Sequence, residues 1–469
     1  MKKNDILENI LVEKLIFSGK GLSHTAEGKA IMIAGGVIPG SVVNLRVLKS
    51  RSNHLEAQLL DTVKPSPLEV ELPGHYQVYG GCKWLPIGYE DQLKIKTQQV
   101  VECMESTRRY WGENAPVFHP IVASPEIYGY RNKVEFSFGK YISGREGVHD
   151  EFRFGFHKQG EFDRIIDCTY CVLASDTVNE IFTLVNELTR ASGLPTYDPK
   201  SARGFYRHLV LRESKKTGEI MLIWSLNTND EHFDDAGKAA FEKVWKRVAE
   251  HPAIVSNILL RNTGRADIVT GEQILLAGKE TIEDSLLGKN FTIRAKSFFQ
   301  TNSLGAEKLY STVRSLVKHP GGTLLDLYAG TGTIGIVLAD MFTRVHSVEI
   351  VADASLDAVA NAARNGVTQF EAVNAPVEKF LDAYLMEGKT ADSLVIDPPR
   401  DGMHPSAPLN LLKFGVSEMI YVSCNPSTLA RDLEVLLGSG KYRLTDVVPV
   451  DMFPHTHHIE TVVRLEKIG

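Results

Sequence analysis

From about residue 290 the chain alternates short apolar runs with helical ones, and no other feature restricts its fold so strongly. "GTLLDLYAG" reads as a strand, "TIGIVLADM" as a helix and "RVHSVEI" as a strand. "DASLDAVANAARNG" reads as a helix, "QFEAVNA" as a strand and "PVEKFLDAYLMEG" as a helix, and "DSLVIDPPR" and "EMIYVSC" supply two more strands. Parallel neighbours need a crossover, and helices of this length provide it. The expectation is a doubly wound, Rossmann-like, mainly parallel α/β sheet over residues 289–469. Ligands of such sheets bind beyond the carboxyl ends of the strands, so the residues at those ends carry the functional argument.

The first strand ends in Gly330-x-Gly332-x-x-Gly335 within "DLYAGTGTIG". Glycines there permit a tight turn and let a ligand approach the backbone at a helix start. Glu349 closes the next strand, where a carboxylate can accept hydrogen bonds from ribose hydroxyls. This much fits either NAD or S-adenosylmethionine. Asp397, in "VIDPPR", ends a later strand, and the two prolines that follow cannot continue it. An Asp-Pro-Pro at that place is similar to the one in S-adenosylmethionine-dependent methyltransferases.

Cys424 ends the following strand on the same rim. A chain with five cysteines has placed one where a thiolate would face the cleft. A thiolate suits one reaction well. C6 of a pyrimidine is electrophilic, and C5 becomes nucleophilic only once C6 has been attacked. A base must then remove the C5 proton. The stretch "DMFPHTHHIETVVRLEK" offers Asp451, His455, His457, His458 and Glu460, and periodicity does not choose among them.

Upstream, residues 1–64 read as short strands broken by Gly and Pro, an OB-like β-barrel with Lys49, Arg51 and His54 in one turn as a possible phosphate contact. A Pro-rich linker follows at 64–75. Residues 65–288 read as a central α+β domain. It has a helical stretch at 89–110, helices near 176–191 and 237–250, and antiparallel strands with alternating polarity. Arg131, Lys133, Arg153, His157, Arg203, Arg207, His208 and Arg212 lie there amid Phe and Tyr, a mixture that suits RNA. The formal net charge of −6 does not advertise nucleic-acid binding, so any such site has to be a local patch. No apolar run is long enough for a membrane span, and the low, odd cysteine count fits the cytoplasm.

"DLYAGTGTIG", "DPPRDG", "SCNPSTLARDL" and "FPHTHHIETVVRL", with "GYRNKVEFSF" and "SFFQTN", resemble the class I S-adenosylmethionine-dependent RNA uracil-C5 methyltransferases over nearly the whole chain. The resemblance implies Cys424 as nucleophile and Glu460 as base. It implies Gln300, Tyr328, Glu349 and Asp397 as cofactor contacts, with Thr333 and Asn374 in the same pocket. It likens residues 1–64 to a TRAM domain and points to 5-methyluridine in 23S rRNA, acting as a monomer. Alternatives are a tRNA uridine, 5-methylcytidine, or a non-catalytic RNA-binding role. Many rRNA-modifying members hold a [4Fe–4S] cluster through Cys-x5-Cys-x2-Cys and a distant Cys. Here Pro73 and Tyr79 stand at the first two positions, leaving Cys82 with Cys168 and Cys171, so no cluster and no metal is expected. A site using His75 with these thiols is the alternative.

Overall fold

The computed structural model describes residues 1–468 except His75, Gln77, 144–146 and 159–160. The C-terminal sheet has eight strands. In spatial order they are Phe370–Asn374, Arg344–Glu349, Thr323–Leu327, Ser393–Ile396, Glu418–Ser423, Glu460–Lys467, Tyr442–Val450 and Val117–Phe118. The first five run parallel. Their apolar residues, such as Leu324, Leu327, Val395, Ile396, Ile420 and Val422, are buried, as a sheet covered by helices on both faces requires. Strand order reverses on either side of Thr323–Leu327, which opens a crevice above that strand's end.

Glu460–Lys467 runs antiparallel to Glu418–Ser423, with Ser423 opposite Thr461. Its first residue therefore reaches the same rim on which its neighbours finish. That reversal puts Glu460 beside Cys424.

The third glycine of the motif has a packing role. A Cβ at Gly335 would lie 2.5 Å from Ser347 Oγ and 2.7 Å from Asp326 Oδ2. Helix Thr333–Leu338 can therefore lie this close to the sheet only with glycine there, and Gly335→Ala would force the two apart.

The central sheet has seven strands, from Glu161–Asp167 through Val148–Lys158, Lys133–Ser143, Tyr206–Glu213, Ile220–Leu226 and Ile254–Arg261 to Glu272–Gly278. One pair departs from the antiparallel expectation: Ile220–Leu226 and Ile254–Arg261 are parallel. The helix Asp235–Ala249 between them carries the chain back to the starting edge, which a tight turn cannot do.

Two segments of the 65–288 range lie with the C-terminal sheet. Helix Tyr89–Met104 packs Val100 and Met104 against Leu429, Leu433 and Val447. Strand Val117–Phe118 extends that sheet's edge. The hairpin of Ile282–Leu286 with Lys289–Ile293 packs on helix Ser303–Leu316, so the 288/289 boundary falls within its turn.

Residues 6–64 form a curled six-stranded sheet. Ile6–Leu11 pairs at one edge and Lys14–Leu15 at the other, so Val12 and Glu13 join the two edges through the chain itself. Trp84 and Ile87 complete its core. Among the described residues no helix is long and apolar enough to cross a membrane.

Candidate active site

A cavity of about 1260 Å³ opens at the carboxyl rim of the C-terminal sheet. One end is built by the glycine turn. Gly330 and Gly332 take the left-handed φ values 56° and 74°. A Cβ on Gly330 would project to 3.9 Å from Phe298, across the cavity. Tyr328 adopts φ 62° without being glycine, a sparsely populated state for such a residue, and lines the wall. Glu349 accepts from Gly330 N at 2.9 Å and from Val351 N at 2.7 Å. A carboxylate has about four lone-pair directions, so two remain for ligand hydroxyls.

Gln300, Thr333 and Asp397 also line the cavity, and Thr333 Oγ1 sits 3.2 Å from Tyr310 Oη. Asn374 is not in the wall. Its amide donates to the carbonyls of Glu349 and Ile350, at 2.9 and 3.0 Å, and so braces the turn from behind. Asp326 escaped the sequence reading because nothing local marks it. Its buried Oδ2 accepts from Gly335 N at 3.0 Å and Ser347 Oγ at 2.7 Å, tying the glycine helix to two strands. Burial pushes the Asp326 carboxyl up to about 6, and burial with the neighbouring Asp326 charge pushes Asp397 up to about 7.

The other end holds Cys424, Glu460, Arg400 and Phe453. Cys424 is partly exposed to the cavity. Lost hydration and the Glu460 charge push its thiol up to about 11, while the Arg400 guanidinium, within hydrogen-bonding reach, pulls it down. Glu460 is 6% exposed, and burial, with the Asp397 charge, holds its carboxyl well above the usual range. The Glu460 charge thus adds to burial in raising the proton affinity of the Cys424 thiol.

The "PSTLARD" segment explains how Arg400 is held. Helix Pro426–Gly438 is capped by Asn425, whose Oδ1 accepts from Ser427 N and Thr428 N. Asn425 Nδ2 and Thr428 Oγ1 donate to the Arg400 carbonyl at 3.0 and 3.1 Å. Buried Asp432 accepts from Met403 N and Tyr421 Oη, each at 2.8 Å, and Arg431 donates to the Asp401 carbonyl at 2.9 Å. The first two turns of this helix thus fix Arg400, Asp401 and Met403 after Pro399. Two other candidates of the 451–460 stretch are engaged elsewhere, whereas His458 lies against Arg400 with His457 beside it. Asp451 is fully buried in an ion pair with Lys96 at 2.6 Å. His455 lies stacked on Tyr128 and bonded to Gln92.

Most of the upstream basic residues are structural. Lys49, Arg51 and His54 all face Glu56. Arg207 is buried and donates to the carbonyls of Asn262, Gly264 and Ala266. His208 and His157 share Asp267, Arg212 bonds Ser297 O, and Arg153 pairs with Asp150 and Asp167.

Cys82, Cys168 and Cys171 are buried in the aromatic core of the central sheet. Tyr79 fills the space between them: its Oη is 2.6 Å from Cys171 Sγ and its ring stacks on Phe156 at 4.2 Å. Burial pushes all three thiols up, Cys82 to about 11. A four-thiolate cluster does not fit this donor set, in which a phenol takes a ligand's place. Among the described residues no three His, Cys, Asp or Glu side chains are arranged to hold a metal, and His75 lies outside them.

A family model described as tRNA (uracil-5-)-methyltransferase matches residues 89–468. Over 471 residues the chain is 35% identical to an "uncharacterized RNA methyltransferase" of Caldanaerobacter subterraneus subsp. tengcongensis, covering 100% of both chains. It is 33% identical to a protein of the same description from Chlorobaculum tepidum, covering 99% of this chain and 97% of that one. The crystal structure of Pyrococcus abyssi tRNA (uracil-54, C5)-methyltransferase in complex with S-adenosyl-L-homocysteine superposes with a TM-score of 0.72 at 27% identity, over 98% of this chain and 100% of that one. The chain belongs to the tRNA (uracil-5-)-methyltransferase family.

Proposed function

We propose that this chain methylates C5 of a uridine in structured RNA. The observation that carries the reading is the facing of Cys424 and Glu460 across two antiparallel strands, at the mouth of a cavity whose far end is the glycine turn with Glu349. The far end fits S-adenosylmethionine: Glu349 has free lone pairs for ribose hydroxyls, and Tyr328, Gln300, Thr333 and Asp397 surround the remaining space. S-Adenosylmethionine bound there supplies the methyl group as an electrophile.

The chain's own residues do the rest. The Cys424 thiolate adds to uracil C6, and the C5=C6 electron pair moves into an enolate over C5, C4 and O4. C5 takes the methyl group, and the electron pair of the C–S bond that breaks would stay on the sulfur of the departing donor. Glu460 then removes the C5 proton, the C5=C6 bond re-forms, and the C6–S bond breaks to release the thiolate. Arg400 favours the charged sulfur at both ends of this sequence. The target base must leave its stack to enter the cavity.

The N-terminal curled sheet, read as TRAM-like, makes 23S rRNA the first substrate to try. tRNA is the second reading, favoured because the Pyrococcus protein with a tRNA activity aligns with this chain from end to end. Incubating the protein and cofactor with rRNA and tRNA that contain 5-fluorouridine separates these. Fluorine at C5 cannot leave as a proton does, so the Cys424 adduct is trapped on whichever RNA is the substrate. Mass analysis of ordinary RNA after reaction should show 5-methyluridine. 5-Methylcytidine, or no adduct on any RNA, would overturn the reading.

A further inference from the structure

Beside Cys424, on the side away from the glycine turn, Arg400, His457 and His458 meet, and the Lys83 charge acts on His457. Arg400 Nη2 lies 3.2 Å from His458 Nδ1 and 3.4 Å from Nε2, so the guanidinium spreads across that ring. His457 and His458 have ring centroids 4.1 Å apart. The backbone at Lys83 is held beside the histidine turn by its neighbour Trp84, whose backbone N–H donates to the His455 carbonyl at 3.0 Å. The turn Ile16–Lys20 of the N-terminal sheet closes the far side. It is tied by Gly19 N to Ile16 O at 2.8 Å, and a Cβ on Gly19 would lie 3.0 Å from His457.

Among the described residues no carboxylate comes within ion-pair distance of Lys83 or Arg400. Lys96, one layer deeper, shows the contrast, since Asp451 neutralises it. The charges acting on His457 are those of Lys83, Arg400 and Lys96, all cations, and with burial they push its imidazole down to about 4. In a chain of net charge −6 this is a local positive pocket, whose Arg400 also acts on the buried Glu460 across the cavity. Its position is specific. Arg400 is shared between the pocket and the cavity, so an anion held here would sit one side chain away from a base held against Cys424.

We propose that Lys83, Arg400, His457 and His458, walled by the Ile16–Lys20 turn, form a phosphodiester-binding subsite for the nucleotide whose base enters the cavity. This rests on the functional reading above and deepens it. The backbone of the target nucleotide would be clamped where the N-terminal and catalytic sheets meet, so the N-terminal sheet would shape the catalytic complex as well as tether RNA.

The test compares Lys83→Gln and Lys83→Arg with the wild type, by steady-state kinetics on the methylated RNA and by RNA binding across a salt series. Lys83→Gln should raise KM for RNA about fivefold to tenfold, leave kcat within about twofold, and flatten the slope of log affinity against log salt by about 0.7, the loss of one phosphate contact. Lys83→Arg should restore both. His457→Gln should raise KM similarly. Cofactor affinity, unchanged in all three, reports an intact fold. A Lys83→Gln protein with wild-type KM and salt slope would overturn the proposal, as would failure of Lys83→Arg to rescue. If the wild type modifies no RNA, the functional reading fails, and the salt slope of binding still decides the subsite.

Discussion

Cys424 and Cys171 are two thiols of one chain, both pushed up by burial, and only one of them is placed to react. Cys171 faces a phenol, two further thiols and an aromatic core, and is 1% exposed. Cys424 faces a cavity of about 1260 Å³, a guanidinium that favours its charged form, and a carboxyl that can hold a proton. Proton affinity therefore does not separate the proposed nucleophile from a core residue here. Access, and the charges that share the space, do.

The hardest test of that contrast removes each thiol in turn. Cys424→Ala should abolish both the 5-fluorouridine adduct and turnover, because no other thiol lines the cavity. Cys171→Ala should leave adduct chemistry intact. Its cost should fall on stability, at about 1–2 kcal/mol for a small side chain deleted from a packed core, read by denaturant unfolding. Loss of the adduct in Cys171→Ala with the fold intact would break the comparison.

Next in size is Glu460→Gln. Loss of a positioned base costs about 10²–10⁴-fold in turnover. The adduct should still form on ordinary RNA, and should accumulate because its C5 proton has no acceptor. Glu460 also raises the Cys424 proton affinity through its charge. With Gln in place, the thiol should ionise at lower pH, so the rising limb of adduct formation against pH should move down. A limb that stays put, or moves up, would show that the Glu460 charge does not act on the thiol.

Asp397→Asn tests the cofactor end. In the fold this carboxyl is pushed up to about 7, against 3.8 in a free chain. Between those values the folded protein holds a proton that the unfolded chain has released, so stability falls as pH rises through that window. Above pH 7 the full cost of the buried charge is present. Asparagine removes it, and the variant should be more stable than wild type at pH 8 by about 1–2 kcal/mol, by thermal unfolding, while cofactor binding weakens. Equal stability at pH 8 would mean that the fold does not strain this carboxylate.

How much of this was open to sequence reading depends on distance along the chain. Glu349, Asp397 and Cys424 stand at strand ends and Gly330 in the turn that follows one, and such places are local facts that hydrophobic pattern and turn residues reveal. Glu460 was different. Periodicity alone did not choose between it and the histidines, because the choice rests on a reversed strand direction that only pairing with Glu418–Ser423 fixes. The same reason hides Asp326, which acts through Ser347 and Gly335, and the Arg431–Asp432 pair, which acts on Asp401 and Met403. The basic and aromatic residues of the central sheet show the converse. Their composition suggested RNA, yet Arg207, Arg212 and His208 are spent on loops that they bind internally. Asn374 braces the backbone of the glutamate it was expected to accompany in the pocket.

The smallest effect sharpens the thiol pocket itself. Tyr79→Phe removes one hydroxyl that sits 2.6 Å from Cys171 Sγ and leaves the stacked ring on Phe156 in place. If that hydrogen bond is an ordinary buried one, its loss costs about 1 kcal/mol, with the sulfur, a weak acceptor and donor, tolerating its lost partner. Methylation and cofactor binding should match wild type, because the pocket lies in the central core, away from the cavity that holds Cys424. A much larger loss of stability, together with metal or iron carried by the wild type and absent from the variant, would mean that the phenol is a ligand. The division between a reactive and an inert thiol site would then have to be redrawn. A small loss with identical metal content would leave Tyr79 as the residue that lets three buried thiols pack without a cluster.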